Sequence, residues 1–250
     1  MKGMILAGGK GTRLHPLTKV VNKHLIPIGK YPMIYYPIFK LREADITEIL
    51  ITTNHQDLPL FRKLLGDGKN LGVRIHYKIQ QQAVGIPDAI LLSKSFVGND
   101  KFTVILGDNI FQDSLIPYVQ SYQNQTIGAK VLLKNVPDPT RYGIATFDKT
   151  HKNILFIEEK PTNPISNYCV TGIYMYDTKI FEFIKQITPS SRGELEITDV
   201  NNLYLQNSKL TFDVLSHWWV DAGTYEAIFE ANQFTFNNDI LSLTEKGCDL

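Results

Sequence analysis

Short apolar runs alternate with amphipathic stretches through the first 110 residues of the chain. The runs at 4–7, 49–53, 73–79 and 102–106 predict strands, most of them nearly continuous in apolar residues, as buried parallel strands are. Apolar residues recur at helical spacing in the stretches 33–44, 58–65 and 86–96. A strand followed by a helix, repeated several times, predicts an α/β fold with right-handed crossovers.

The second half of the chain has a different pattern, with strands predicted closer together. Strands are predicted at 129–134, 144–147, 154–157 and 170–176, and helices at 179–187, 197–206 and 224–236. We therefore predict a Rossmann-like, three-layer α/β/α fold with a mixed, mostly parallel central sheet. With 250 residues and no linker or repeat, one domain is expected over 1–250, with two halves at about 1–110 and about 111–236.

Composition excludes several classes of protein. A formal net charge of +1 argues against a nucleic-acid partner, which would require a basic face. No apolar segment approaches the ~20 residues of a membrane span, and Met1–Gly3 lead directly into a strand, so no membrane partner and a cytoplasmic location are expected. Cys169 and Cys248 are far apart and predict neither a disulfide framework nor a zinc site.

A glycine-rich segment, "AGGKGTR", follows the first predicted strand. In an open α/β sheet this loop is a usual phosphate site, because Gly8, Gly9 and Gly11 let backbone N–H groups converge on an oxyanion. Arg13 adds a planar guanidinium that suits phosphate oxygens. The spacing matches neither the dinucleotide fingerprint nor the P-loop, and a tight glycine-rich turn without a ligand remains the alternative.

Seven blocks of sequence carry a family resemblance and stand in that family's order. They are "ILAGGKGTRLHPLTKVVNKHLIPI", "KYPMIYYP", "LGDNIF", "EEKP", "VTGIYMYD", "RGELEITDVN" and "WVDAGT", running from residue 5 to residue 224. With these blocks the chain resembles the sugar nucleotidyltransferases, and most closely the family of glucose-1-phosphate thymidylyltransferases. The chain ends about 26 residues after Thr224 and so resembles the short forms, in which a C-terminal regulatory nucleotide site is not expected.

The resemblance implies a reaction between two anions, dTTP and glucose 1-phosphate, that yields dTDP-glucose and pyrophosphate. The sugar-phosphate oxygen attacks the α-phosphorus in line, and because it is already ionised no general base is needed. Repulsion is the main difficulty, since one pair of unit charges 4 Å apart costs roughly 4 kcal/mol at an effective dielectric of 20. The expected cofactor is Mg²⁺, held by one or two carboxylates and the phosphates.

The resemblance implies a nucleotide-binding half at about 1–110 and a sugar-phosphate-binding half at about 111–236. It also implies roles for individual residues near the triphosphate. Asp108 and Asp221 would be the metal ligands, and Arg13, Lys23 and Asp108 the catalytic residues. From the residues alone, the favoured interpretation of Asp108 is a capping aspartate of a Gly-Asp-Asn turn. The residues implied for nucleotide binding are Leu6, Gly8, Gly9, Gly11, Thr12, Arg13, Lys23, Gln80, Gly85 and Asp108.

The base-binding stretch departs from the family pattern. Gln80 could offer a donor and an acceptor to a pyrimidine edge, but Pro87 and Asp88 stand where the family carries a small residue and an amide. UTP, CTP or another hexose 1-phosphate therefore remain alternative substrates. A non-catalytic sugar-nucleotide-binding regulator is a further alternative, whereas the glycine spacing excludes an NAD-dependent oxidoreductase.

For the sugar phosphate, the resemblance implies a second set of residues, in which Lys160 would pair with the phosphate and Glu159 would bind hydroxyl groups. The full set is Tyr142, Gly143, Glu159, Lys160, Val170, Gly172 and Arg192. The sequence leaves the assembly open, with a homo-oligomer among the alternatives.

Overall fold

The computed structural model describes residues 1–238 and 240. Its strands are β1 (Lys2–Leu6), β2 (Pro27–Ile28), β3 (Tyr31–Pro32), β4 (Glu48–Thr53), β5 (Arg74–Ile79), β6 (Phe102–Leu106), β7 (Asn109–Phe111), β8 (Ala129–Asn135), β9 (Gly143–Phe147), β10 (Ile154–Glu159), β11 (Tyr168–Tyr176), β12 (Leu210–Val214) and β13 (Trp219–Asp221). Its α-helices are α1 (Tyr35–Glu43), α2 (Leu58–Leu65), α3 (Ile86–Leu91), α4 (Lys94–Val97), α5 (Ile116–Asn124), α6 (Ile180–Phe183), α7 (Ile197–Gln206) and α8 (Tyr225–Asn237). Short 3₁₀ turns connect several of them.

The chain divides into two compact units that interleave in sequence. Unit 1 comprises Met1–Ala83, Ile105–Ile116 and the segment from His217 onward, and unit 2 comprises Val84–Val104 and Pro117–Ser216. The two units are not consecutive in sequence, unlike the two halves drawn from the sequence. Unit 1 includes the segment from His217 onward, and unit 2 includes Val84–Val104. The extent of a single domain over 1–250 stays a prediction.

Unit 1 is built on parallel strands. β1 pairs with β4 in parallel, and β4 with β5, with Gly3 opposite Ile49 and Glu48 opposite Arg74. Met4, Ile5, Ile49 and Ile51 are fully buried, as expected for near-continuous apolar strands covered on both faces. A separate two-stranded antiparallel ladder joins β7 to β13. Parallel strands direct their carboxyl ends to one edge, where the loops after β1 and β4 emerge.

Unit 2 is built mainly on antiparallel strands. β11 pairs antiparallel with β8 and β9, β9 pairs antiparallel with β10, and β12 pairs in parallel with β8. Tyr176 on β11 and Tyr204 on α7 are fully buried and stacked, with ring centroids 5.8 Å apart. The Tyr176 hydroxyl donates to Asn201 Oδ1 at 2.7 Å, which satisfies its polar atom inside the core.

The predicted α/β class with a mixed sheet is confirmed, and the differences are local. The helix predicted at 86–96 is interrupted between α3 and α4, where the buried Ser93 hydroxyl donates to the Ile90 carbonyl at 2.7 Å. The helix predicted at 179–187 is α6 continued by a 3₁₀ turn. The sequence analysis missed α5 and the strands β2, β3, β7, β12 and β13. Among residues 1–238 and 240, no helix has both the length and the apolar character that crossing a bilayer requires.

Candidate active site

The glycine-rich loop after β1 packs against residues that were predicted to share its function. Gly11 has φ +61°, and a Cβ there would lie 3.0 Å from the Thr18 side chain, so only glycine fits without a shift. A Cβ on Gly8 would lie 2.8 Å from Gln80 Oε1, and one on Gly9 would lie 3.7 Å from Lys23 Cε. The fold therefore brings Gly8 beside Gln80, and Gly9 and Gly11 beside Lys23.

Two 3₁₀ turns carry the predicted basic residues. Thr12 and Arg13 lie on the turn Thr12–Leu14, both exposed, and Lys23 begins the turn Lys23–Leu25. Leu6 ends β1, and its carbonyl accepts from the Gly107 N–H at 2.9 Å. The loop after β6, which carries Asp108, is therefore hydrogen-bonded to the end of β1.

Asp108 is a buried carboxylate held by several partners. Its Oδ2 accepts a hydrogen bond from the Lys23 ammonium, and its Oδ1 accepts from Asn109 Nδ2 at 3.3 Å. The Trp219 indole N–H donates to Asn109 Oδ1 at 2.8 Å, which turns the amide nitrogen of Asn109 towards Asp108. Burial raises the pKa of Asp108, but the charge and hydrogen bond of Lys23, together with His24 and the Asn109 hydrogen bond, outweigh burial and hold this pKa well below its usual range.

Asp221 ends β13 and forms the second carboxylate of the cluster. Arg13 Nη2 lies 3.8 Å from Asp221 Oδ2, and the Ala222 N–H donates to the Asp108 carbonyl at 2.9 Å. Burial raises the pKa of Asp221 to about 6, and the nearby negative charge of Asp108 raises it in the same direction. Unit 1 thus gathers two carboxylates and two cations beside the glycine-rich loop.

This donor set fits a magnesium ion that is completed by a substrate. Mg²⁺ takes oxygen ligands and is usually bound by one or two carboxylates together with phosphates and water. Among the described residues, no group of three or more His, Cys, Asp and Glu side chains could hold a metal on its own. Asp108 is buried and Asp221 is largely buried beside it, and the repulsion that raises the pKa of Asp221 is one that a divalent cation would relieve.

His24, to which the sequence analysis gave no role, is buried beneath this cluster. Its Nδ1 lies 2.8 Å from Asn22 Oδ1, and because Asn22 Nδ2 donates to the Asp57 carboxylate, Oδ1 is the accepting atom and Nδ1 carries the proton. A Cβ on Gly107 would lie 2.6 Å from the imidazole ring. Burial and the Lys23 charge lower the pKa of His24 to about 3.

His24 is expected to make the unfolding free energy depend on pH. Since its folded pKa lies below the unfolded value of 6.5, the unfolded chain binds the proton first and stability falls as the pH drops from 6.5 towards 3. Between pH 7 and pH 5 the contribution amounts to about 2 kcal/mol. Urea denaturation of the wild type and His24→Asn at both pH values measures it, and a difference between the two proteins that does not change with pH would contradict it.

The predicted nucleotide residue Gly85 lies in unit 2. Its φ is +120°, and a Cβ would lie 2.1 Å from the Leu195 carbonyl oxygen, so a side chain at this position is excluded without backbone movement. Gly85 and Leu195 form an isolated parallel bridge, and the Leu195 N–H donates to the Val84 carbonyl at 2.9 Å. Gly85 therefore shapes the entry into α3, on which Pro87 and Asp88 lie.

The predicted sugar-phosphate residues form a cluster in unit 2 around Glu159. Glu159 Oε1 accepts from Arg192 Nη2 at 3.2 Å and lies 3.5 Å from Lys160 Nζ, while Oε2 accepts from the Thr198 hydroxyl at 2.7 Å. A Cβ on Gly143 would lie 3.1 Å from Thr198 Oγ1. The cluster combines two cations with carboxylate and hydroxyl oxygens, which suits a phosphorylated polyol.

Backbone geometry places the remaining predicted residues of this set. The Lys160 N–H donates to the Tyr142 carbonyl at 2.9 Å, and Lys160 itself has φ +46°, which is uncommon for a residue with a side chain. Val170 and Gly172 lie on β11, where the register with β8 shifts between Val170 and Tyr174.

Several residues of these clusters were missed in the sequence analysis. Asn109 and Trp219 orient Asp108, Thr198 binds Glu159, and Glu196 Oε2 accepts from Arg192 Nη2 at 2.9 Å. Each lies inside a quoted block, so the blocks were the sequence signal from which these residues could have been identified.

Comparisons with known proteins agree with this geometry. The profile of the family described as "Nucleotidyl transferase" matches residues 2–238. Glucose-1-phosphate thymidylyltransferase of Neisseria gonorrhoeae is 44% identical over 237 residues, 94% of this chain and 82% of the relative, and that of Mycolicibacterium smegmatis is 40% identical over 94% and 82%.

Solved structures show the same fold. A Bacillus anthracis structure, assigned as a glucose-1-phosphate thymidylyltransferase and solved with sucrose, is 51% identical, with a TM-score of 0.91 over 95% of this chain and 96% of that chain. A UDP-glucose pyrophosphorylase bound to UDP-glucose is 26% identical, with a TM-score of 0.81 over 94% and 98%. The predicted Rossmann-like fold is confirmed, and the chain belongs to the nucleotidyl transferase family.

Proposed function

We propose that this nucleotidyltransferase condenses dTTP with α-D-glucose 1-phosphate to form dTDP-glucose and pyrophosphate. The observation that carries the proposal is the cluster of Arg13, Lys23, Asp108 and Asp221 beside the glycine-rich loop of unit 1. Relatives that are 40% to 44% identical over most of the chain carry the name of this activity, which supports the choice of substrates.

The residues of unit 1 would neutralise the triphosphate. Arg13 is half exposed, with its guanidinium beside Asp221, and backbone N–H groups of the loop can approach phosphate oxygens because Gly8, Gly9 and Gly11 lack side chains. Lys23 keeps only 13% of its side chain exposed, so its charge acts in a partly desolvated environment. We propose that Asp108 and Asp221 hold Mg²⁺, which when bound would offset the charge on the α-phosphate.

The residues of unit 2 would hold the sugar phosphate. Lys160 and Arg192 supply positive charge for the phosphate of glucose 1-phosphate, and Glu159 and Thr198 supply oxygens for sugar hydroxyl groups. The attacking phosphate oxygen is already ionised, so binding and orientation of the two anions are the main tasks of the side chains. Pyrophosphate leaves with the electron pair of the broken phosphorus–oxygen bond.

Pyrophosphate release tests the proposal directly. The purified chain with Mg²⁺ and glucose 1-phosphate is expected to release pyrophosphate faster with dTTP than with UTP or CTP. Faster release with UTP would favour the activity named for the UDP-glucose pyrophosphorylase neighbour. No release with any of these triphosphates, from protein that is folded by circular dichroism, would contradict the proposal and favour a non-catalytic binding protein.

Two predictions from the sequence belong to this proposal. We propose a cytoplasmic enzyme, since its proposed substrates are phosphorylated metabolites of the cytoplasm. Cell fractionation would test this location. A homo-oligomer stays a prediction that light scattering would test.

A further inference from the structure

Both candidate metal ligands lie at one end of the β7–β13 ladder, the antiparallel pairing of Asn109–Phe111 with Trp219–Asp221. Asp221 stands opposite Asn109, and Asp108 directly precedes Asn109. The Ala222 N–H donates to the Asp108 carbonyl at 2.9 Å, which continues the pairing past Asp221. The relative position of the two carboxylates is therefore set by the register of this short ladder.

One backbone hydrogen bond and the side chain of Asp113 hold the two chains together at the opposite end of the ladder. The Gln112 N–H donates to the Trp218 carbonyl at 2.9 Å. The His217 N–H donates to Asp113 Oδ2 at 2.8 Å, and His217 Nδ1 lies 3.4 Å from Asp113 Oδ1. Since three paired residues per strand make a marginal ladder, these contacts contribute to its register.

Lys40 of α1 binds the backbone at this opposite end. Its Nζ donates to the Gln112 carbonyl at 3.2 Å and to the Asp113 carbonyl at 2.9 Å, and it pairs with Glu43 Oε2 at 3.3 Å. The same nitrogen lies 5.3 Å from the centroid of the Phe111 ring. Only 5% of Lys40 is exposed, so its ammonium is satisfied by these groups rather than by water.

Glu43 extends the same anchor. Its Oε2 pairs with Lys40, and its Oε1 accepts a hydrogen bond from the Ser114 hydroxyl. Lys40 and Glu43 together attach α1 to the three residues that follow β7. A buried lysine ammonium destabilises the fold if its hydrogen bonds are lost. The two main-chain carbonyls that Lys40 binds are therefore held in place relative to α1.

We propose that Lys40 is a positioning residue for the metal-binding carboxylates. By tying Gln112 and Asp113 to α1 it fixes the register of the β7–β13 ladder, and the register fixes Asp221 relative to Asp108. The inference rests on the proposed function, in which those two carboxylates hold Mg²⁺. Lys40 contacts neither carboxylate, so its effect is transmitted through the ladder.

Lys40→Met tests this role, because methionine keeps the length of the side chain and removes the ammonium. The variant is expected to bind Mn²⁺ about tenfold more weakly in a titration followed by electron paramagnetic resonance, the lower end of the effect of groups that orient metal ligands. The Mg²⁺ concentration for half-maximal turnover should rise by a similar factor, with a smaller change in kcat at saturating Mg²⁺. Exchange of the Ala222 amide hydrogen should become faster.

Lys130→Met is the matched control. Lys130 is also buried, with 4% exposed, and it binds Ser121 Oγ at 2.8 Å and the Asp213 carboxylate within unit 2. This variant should lose stability of a similar order without a change in Mn²⁺ affinity. If Lys40→Met does not fold, Glu43→Gln weakens the same anchor from a half-buried position and should shift the Mg²⁺ requirement in the same direction.

The outcomes separate the inference from the proposed function. A wild type that releases no pyrophosphate refutes the proposed function. An active wild type together with unchanged Mn²⁺ affinity and Mg²⁺ requirement in folded Lys40→Met overturns the positioning role. An equal loss of affinity in Lys130→Met also overturns it, because the effect would then come from general destabilisation. Where Mn²⁺ binds the protein alone too weakly to titrate, the Mg²⁺ requirement and the Ala222 exchange decide.

Discussion

Replacing Asp108 with asparagine is expected to lower kcat by about 10³ at saturating substrates. Asparagine has the shape of aspartate but lacks the charge that Lys23 pairs with and that a divalent cation needs, so electrostatic stabilisation of the transition state is lost while the loop geometry is kept. Asp221→Asn should have an effect in the same direction. Steady-state pyrophosphate release over a range of Mg²⁺ concentrations measures both.

Asp213→Asn is the control for this prediction. Asp213 also pairs with a buried lysine, Lys130, but lies in unit 2 on β12. Its loss leaves a buried ammonium with one partner fewer, as Asp108→Asn does for Lys23, and so reproduces the stability effect without the proposed metal ligand. Near-normal kcat in Asp108→Asn, or an equal decrease in Asp213→Asn, would refute the assignment of Asp108.

The sequence predicted the elements that depend on local pattern. β1, β4 and β6 were recognised because a strand buried on both faces is apolar nearly throughout, and α2 and α7 because their apolar residues recur at helical spacing. β7 and β13 were missed. Each has three residues and, within the part of the chain that the structure describes, pairs with the other alone, across more than a hundred positions, which no local window can detect.

The candidate site was predicted to the extent that the quoted blocks contain it. Gly8 and Gln80 share no local pattern, yet the structure places them in contact, because β1 and β5 flank β4 and release their loops at one edge. The partners of these residues could not be predicted in the same way. That Asn109 turns its amide nitrogen to Asp108 follows from the indole N–H of Trp219, a contact between distant segments.

Two substitutions of Lys160 should distinguish the energetic cost of its backbone conformation from the function of its charge. At φ +46° its side chain is sterically disfavoured by roughly 1 kcal/mol, a cost that glycine would remove. A residue kept in this conformation with a side chain suggests that the side chain is needed, here to place an ammonium beside Glu159 and Arg192. We therefore compare Lys160→Gly with Lys160→Ala.

Both variants are expected to raise KM for glucose 1-phosphate by at least about tenfold, since a hydrogen bond to a charged group contributes about 1.5–3 kcal/mol. KM for dTTP should stay unchanged. The unfolding free energy of Lys160→Gly should exceed that of Lys160→Ala by about 1 kcal/mol, because alanine is strained at this positive φ and glycine is not. Equal stability of the two variants would refute the strain, and an unchanged KM for glucose 1-phosphate would refute the phosphate contact, so each half of the prediction can fail on its own.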